Sequence, residues 1–189
     1  MELTVPALPP RLLPVRDNLR RLPQEEEGVL LHSTTLAHLI RLAAEARWPL
    51  ALDLDGVEGL EPGEAAMAFA VQRLGIRILI SRRPALMARA TVLGCLGLLR
   101  VSSLDSTGIE RGMDGHPGPP VGTAISPGLV LAHLPSEQRV ELPRPLLAYG
   151  LVRRPEEAAA ALAAGADSVV MDLPRTAPAK RIDNRTKRA

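Results

Sequence analysis

Aromatic side chains are almost missing from this sequence: Trp48, Phe69 and Tyr149 are single examples of their kinds, 2% of 189 residues. A stacking platform for RNA bases needs several exposed rings, so that mode of binding is disfavoured. An all-β sandwich is disfavoured too, and a core must come from Leu, Val, Ile and Ala, which suits buried parallel strands covered by helices. Cysteine is equally scarce. Cys95 stands alone, so neither a disulfide framework nor a cluster of zinc-binding cysteines can form within one chain. Its expected role is that of a small buried hydrophobe. Lysine is confined to Lys180 and Lys187 near the C-terminus. A barrel aldolase working through a Schiff base is thereby excluded unless the tail folds inward.

Long apolar runs are absent as well, and none approaches the ~20 residues that a membrane helix requires. Pro6, Pro9, Pro10 and Pro14 interrupt the N-terminal segment where a secretory signal would be apolar, so the cytoplasm is the expected compartment. There is no Walker-type loop and no Gly-x-Gly-x-x-Gly fingerprint. His32, His38, His116 and His133 show neither HExxH nor any paired metal spacing. No cofactor, no metal and no catalytic residue is expected.

What is present is a chain with 46% hydrophobic residues, enough for one well-buried core and too short for two ordinary domains. Short Val/Ile/Leu-rich runs predict strands near 12–16, 28–32, 50–55, 77–81, 97–101, 123–126, 145–149 and 168–172. They are continuous rather than alternating, as expected where both faces of a strand are covered. Residues 34–47 place Leu36, Leu39, Ile40 and Ala43 on one stripe, with Ser33 as the expected N-cap and Pro49 beyond the end. Residues 63–74 repeat the pattern, and 155–164 open on Pro155-Glu156-Glu157, suited to the positive end of a helix dipole.

Strand–helix alternation argues for right-handed βαβ units and a parallel sheet. Eight strands fit a compact (β/α)8 barrel over residues 1–173, with an open doubly wound sheet as the alternative. Barrels of this kind usually need 200 residues or more, so helices must be shortened. The Gly/Pro-rich stretch 111–122 predicts a fifth crossover that is mostly loop, and Pro174 and Pro178 break the eighth helix. Residues 174–189 are expected to form a flexible basic tail. Arg175, Lys180, Arg181, Arg185, Lys187 and Arg188 face only Asp183, a net +5, which leaves −3 for the rest of a chain whose total is +2. Of these, Lys180, Arg181, Arg185, Lys187 and Arg188 are the candidate RNA contacts, since cations on phosphates give salt-sensitive binding; a merely solvated tail is the alternative.

Parallel barrels receive ligands at the C-terminal strand ends. Those ends carry Arg16, His32, Asp53 with Asp55, Ser81 with Arg82 and Arg83, Arg100, Asp105, Ser126, Gly150 and Asp172. Guanidinium groups for charged oxygens and carboxylates for hydroxyls suit a small anionic polyol or phosphate ester; ordinary ion pairing is the plainer reading. Asp53 stands out, because an unpartnered carboxylate inside the apolar run Ala51-Leu52-Asp53-Leu54 would be costly. Its partner is ligand, metal or a structural Arg. Asp55 is expected to face away from Asp53, so joint metal binding by the pair is not expected.

Taken in order, several segments resemble the glycerol-3-phosphate-responsive antiterminator family, also called the glycerol uptake operon antiterminator regulatory proteins. They are Leu13-Pro14-Val15-Arg16, Leu52-Asp53-Leu54 with Gly59-Leu60, Ile80-Ser81-Arg82, Arg100 with Leu104-Asp105-Ser106, Pro127-Gly128, Gly150-Leu151-Val152 and Ala164-Gly165-Ala166. The resemblance spans about residues 12–173 and excludes the tail. It implies a (β/α)8 barrel that senses glycerol 3-phosphate and acts on glycerol-operon leader mRNA to prevent premature termination, regulating glycerol uptake and metabolism. It further implies ligand contacts from Arg16, Asp53, Ser81, Arg82, Arg100, Asp105, Pro127, Gly128, Gly150 and Leu151.

The sequence departs from the family pattern in four places. Tyr149-Gly150 replaces a Gly-Gly pair, and Met171-Asp172-Leu173 replaces a Ser/Thr-rich turn. Ile125-Ser126 stands where a glutamate precedes Pro-Gly, and Ala51 stands where a His adjoins the strand-three Asp. Tyr149 would crowd a phosphate approaching backbone N–H groups, and an ionised Asp172 would repel a dianion. Two further readings therefore stay open: a barrel enzyme acting on a small phosphorylated substrate with Asp53 or Asp105 as acid or base, and a diverged member that lost its phosphate site. A homo-oligomer is compatible with all of them.

Overall fold

A computed structural model describes residues 5–16, 19 and 21–171. Eight parallel strands close into a ring: β1 (Arg11–Val15), β2 (Glu27–Leu31), β4 (Leu50–Asp53), β6 (Ile78–Ser81), β7 (Leu96–Ser102), β8 (Gly122–Ser126), β9 (Leu146–Val152) and β10 (Ser168–Met171). The last of these pairs with the first through Arg11↔Val169 and Leu12↔Val170, so the sheet has no open edge. The doubly wound alternative is thus set aside. Two short strands, β3 (Thr34–Thr35) and β5 (Val57–Glu58), pair in parallel beside the ring.

Two apolar layers explain why the predicted runs are continuous. Leu12, Leu30, Ala51, Ile78, Ile80, Leu98, Ala124, Leu147, Tyr149 and Val170 fill the lumen, with Leu8 packed against them. The alternate residues, among them Val29, Leu31, Leu52, Leu79, Leu99, Ile125 and Val169, face outward and belong to a separate cluster with helical residues. Cys95 is part of that outer cluster and is fully buried.

The helices are short: α1 (Leu36–Glu45), α2 (Glu64–Gln72), α3 (Pro84–Val92), α4 (Ser106–Asp114), α5 (Ser136–Glu141) and α6 (Pro155–Ala163). Two local expectations need correcting and a third needs qualifying. Ser33 does not cap α1; it has a positive φ of 48°, the chain pairs as β3, and Thr35 Oγ1 accepts the His38 N–H at 3.2 Å instead. The third barrel strand stops at Asp53 rather than 55, because Leu54–Gly56 turn into a 3-10 helix. The fifth crossover is loop at 103–105 and 115–121 but also carries the nine-residue helix α4, whose start the Asp105 side chain caps by accepting the Gly108 N–H. The shortest crossover helix is α5, after the sixth barrel strand. The expectations for the tail and for a broken eighth helix lie outside the described residues.

Candidate functional site

The C-terminal ends of the strands converge on a polar mouth above the apolar lumen. Inward-facing registers set its composition: the alternation that points Leu30, Ala51, Leu98 and Leu147 into the lumen also brings His32, Asp53, Arg100 and Tyr149 to its rim. Arg16 follows Val15 on the same alternation in the first strand, and its side chain is exposed.

Asp53 is the centre of this layer and is 2% exposed. It forms an ion pair with Arg100 and accepts the Tyr149 hydroxyl at 2.9 Å. Arg100 also lies over the Tyr149 ring, 5.6 Å from guanidinium carbon to ring centre, and the His32 ring meets the same tyrosine edge-on at 6.3 Å. The partner question raised by the sequence is therefore answered with an arginine and a tyrosine. Burial pushes the Asp53 carboxyl above the ordinary carboxylate range, opposed by the Arg100 charge and the Tyr149 hydrogen bond. The Tyr149 phenol is pushed well upward by burial and by the adjacent carboxylate, so it stays a neutral donor.

Asp55 joins the same network, contrary to the expectation that it would face away from Asp53. Residues two apart on a strand lie on one face, and the turn at Leu54–Gly56 leaves Asp55 beside Asp53, whose Oδ1 accepts the Asp55 N–H at 3.2 Å. Its carboxylate accepts the Ser81 hydroxyl at 2.8 Å, the Arg82 backbone N–H at 2.7 Å and Arg82 Nε at 3.4 Å, and lies 3.5 Å from Arg100 Nη2. Arg100 thus bridges two carboxylates. Guanidinium can do this because its donors form a planar fork. No group of three His, Cys, Asp or Glu side chains suited to a metal occurs among the described residues.

The remaining proposed contacts distribute unevenly around the mouth. Gly150 and Leu151 have positive φ of 82° and 62°, and the pairing of β9 with β10 jumps there from Ala148↔Val169 to Val152↔Met171. The two residues form a backbone bulge at the rim, with the Leu151 side chain half exposed. Pro127 supplies a carbonyl to Ser103 Oγ at 3.0 Å, and Gly128 lies against the backbone of Ala148 and Tyr149. Asp105 is not part of the Asp53 network. Its Oδ1 is engaged at 2.6 Å by the Gly108 N–H, as a helix cap. Lys180, Arg181, Arg185, Lys187 and Arg188, like Asp172, lie outside the described residues.

On α1, the His38 Nδ1 lies 2.9 Å from the Arg16 carbonyl and 2.9 Å from Thr34 Oγ1. A carbonyl only accepts, so Nδ1 carries the proton and donates to it. Sequence reasoning missed Tyr149 as a site residue. The available signal was a lone phenol at the end of an apolar strand, where a buried hydroxyl needs a partner. At the opposite, N-terminal pole a cavity of about 500 Å³ is lined by Leu8, Pro9, Trp48 and Pro49 with Glu25 and Glu26 among its polar residues. None of the mouth residues line it.

Comparison with known proteins follows the same lines. No curated protein matches the sequence. Among solved structures, a glycerol uptake operon antiterminator regulatory protein from Listeria monocytogenes is similar with a TM-score of 0.67 at 21% identity, over 78% of this chain and 81% of that one. A glycerol uptake operon antiterminator-related protein from Thermotoga maritima gives 0.62 at 28% identity, over 76% and 82%. Deoxyribose phosphate aldolase from Aeropyrum pernix, described as tetrameric, gives 0.55 at 16% identity over 75% and 71%, a likeness of fold alone. The family model described as glycerol-3-phosphate responsive antiterminator matches residues 22–173. The chain belongs to that family.

Proposed function

We propose that this protein is a cytoplasmic, glycerol-3-phosphate-responsive transcription antiterminator rather than an enzyme. It receives glycerol 3-phosphate or a similar small anionic metabolite at the barrel mouth and acts on the leader mRNA of a glycerol operon. The observation that carries the reading is the gathering of Arg16, Ser81, Arg82, Arg100 and the Gly150–Leu151 bulge at one end of the ring, in a chain of this family. Cations and backbone donors around a rim suit an anion, while the Asp53 carboxylate and the Tyr149 oxygen, whose proton is given to Asp53, offer acceptors to hydroxyl groups. Pro127 and Gly128 shape the neighbouring wall, and Asp105 contributes through the start of α4.

Lys180, Arg181, Arg185, Lys187 and Arg188 supply the RNA contacts in this reading. Phosphate neutralisation by about five cations makes log K fall with log salt at a slope of roughly −3.5 for single strands. Two measurements test the proposal: thermal shift with glycerol 3-phosphate, and leader-RNA binding across a salt series. A protein indifferent to the metabolite and to the RNA would end it.

A barrel enzyme is the second reading, favoured by one observation: a buried carboxyl at Asp53 with its proton affinity raised. Screening phospho-sugars for turnover before and after Asp53→Asn decides it. Absence of turnover in the wild-type protein removes the enzyme.

A further inference from the structure

The donors around Asp55 form a cradle of a kind that holds an oxyanion. The Ser81 hydroxyl is fully buried and aimed at Oδ1, the Arg82 N–H and Nε address Oδ2, and Arg100 Nη2 stands 3.5 Å from the same oxygen. Three kinds of donor, drawn from two strands and the turn after one of them, thus meet on a single carboxylate. Ser81 also accepts the Arg83 N–H at 3.2 Å, which fixes the orientation of its hydroxyl and leaves its proton for Asp55. A hydroxyl, a backbone N–H and two guanidinium groups are the donors that phosphate takes. The occupant here is the chain's own side chain, carried on the short turn Leu54–Gly56 rather than on the sheet.

We propose that Asp55 is a built-in competitor in an oxyanion subsite, and that the phosphate of a small metabolite enters by displacing it. The inference rests on the reading that the mouth receives an anionic ligand, and adds how that ligand is coupled to a response. Asp55 leads directly into β5, whose Val57 and Glu58 pair with Thr34 and Thr35 of β3. Thr34 in turn contacts His38, the residue whose ring donates to the Arg16 carbonyl. Expulsion of Asp55 therefore frees the 54–58 turn, loosens its pairing with 34–35 and reaches Arg16 on the far side of β2. The bistable element is the turn; the two states are distinguished by which anion fills the cradle.

The apparent dissociation constant of such a site is the intrinsic one divided by the fraction of molecules with the cradle empty. With Asp55 seated in about nine molecules in ten, Asp55→Asn tightens binding about tenfold by the same relation. The experiment is calorimetric titration of wild type and Asp55→Asn with inorganic phosphate and with glycerol 3-phosphate. It is joined to hydrogen exchange of residues 54–58 in the wild-type protein with and without ligand. Tighter binding by the variant, with faster exchange at 54–58 on ligand addition, supports the competitor. Wild-type binding that Asp55→Asn leaves unchanged or weakens overturns it while the ligand reading stands. Failure of both proteins to bind either anion overturns both. If Asp55→Asn does not fold, the exchange measurement decides alone, and unchanged or slower exchange at 54–58 in ligand-bound wild type rejects the displacement.

Discussion

The Tyr149 hydroxyl donates to Asp53 at 2.9 Å across the barrel lumen, linking strands that stand four places apart in the ring. Only closure of the sheet brings these residues, 96 apart in sequence, into contact. The bond serves the fold and the mouth together: it satisfies a buried carboxylate and fixes the ring that Arg100 covers.

Tyr149→Phe removes that donor and leaves one oxygen of Asp53 less satisfied. The expected destabilisation is about 1–3 kcal/mol, a lowering of several degrees in Tm. Its pH dependence has a definite sign. The folded Asp53 carboxyl already titrates above its ordinary range, and Tyr149 is one of the groups that lower it. An acid raised in the folded state contributes stability at low pH that is lost as pH rises through the folded value. Removing Tyr149 raises Asp53 further, so the variant loses more stability at pH 8 than at pH 4. Urea melts at the two pH values read the difference; an equal loss at both would contradict the assignment.

Arg100→Met leaves Asp53 and Asp55 without their shared cation. Breaking a buried pair by removing one partner costs about 3–5 kcal/mol. Arg100→Lys recovers only part of this, because a point ammonium cannot span both carboxylates as the guanidinium fork does. In a double-mutant cycle, Asp53→Asn combined with Arg100→Met should destabilise by clearly less than the sum of the two changes. Additivity would show that the pair is uncoupled.

Acid sensitivity should arise at the other pole of the barrel. Glu27, buried at the start of β2, accepts two bonds from Arg21, at 2.6 and 2.8 Å, and one each from Arg11 and the Gln24 N–H. The Arg21 hydrogen bonds hold its carboxyl down at about 2. A depressed carboxylate contributes stability above its unfolded value that is lost as pH falls through the folded one, here from about pH 5 to about pH 2. That contribution is roughly 1–3 kcal/mol at neutral pH. Glu27→Gln should therefore flatten the acid limb of the stability–pH curve over that window, measured by denaturant melts at successive pH values.

Gly128 is fixed by close approach rather than by an unusual φ. A Cβ there would lie 2.5 Å from the Ala148 carbonyl carbon and the Tyr149 nitrogen, backbone atoms that cannot step aside. Gly128→Ala should cost about 2–4 kcal/mol by forcing β9 away from the turn, with a change in Tyr149 fluorescence as the strand shifts. Stability within 0.5 kcal/mol of wild type would refute the close packing.

The barrel was legible because its signal is local and repeated. Each run such as Leu50–Asp53 or Ile78–Ser81 is buried on both faces, so its composition alone marks a parallel strand. Asp53 was legible for the converse reason, a carboxylate where water is excluded. Asp55 was misread because residues two apart along a strand share a face, and the turn that follows Asp53 keeps the two carboxylates together on Arg100. Asp105 illustrates a competing use: a carboxylate ahead of a helix is as good a cap as a ligand, and here it caps.

Hydrophobic pattern and the scarcity of aromatic residues determined, from the sequence by itself, a parallel α/β barrel with an aliphatic core, and a single cysteine determined that no disulfide forms within the chain. Those properties depend on what each short segment contains and on its period. The tertiary structure decided which polar groups share a partner: that Arg100 serves both Asp53 and Asp55, that Tyr149 reaches Asp53 from across the lumen, and that His38 holds the Arg16 carbonyl. Such pairings depend on ring closure and on where each strand ends, and both are set by long-range packing that no local period encodes.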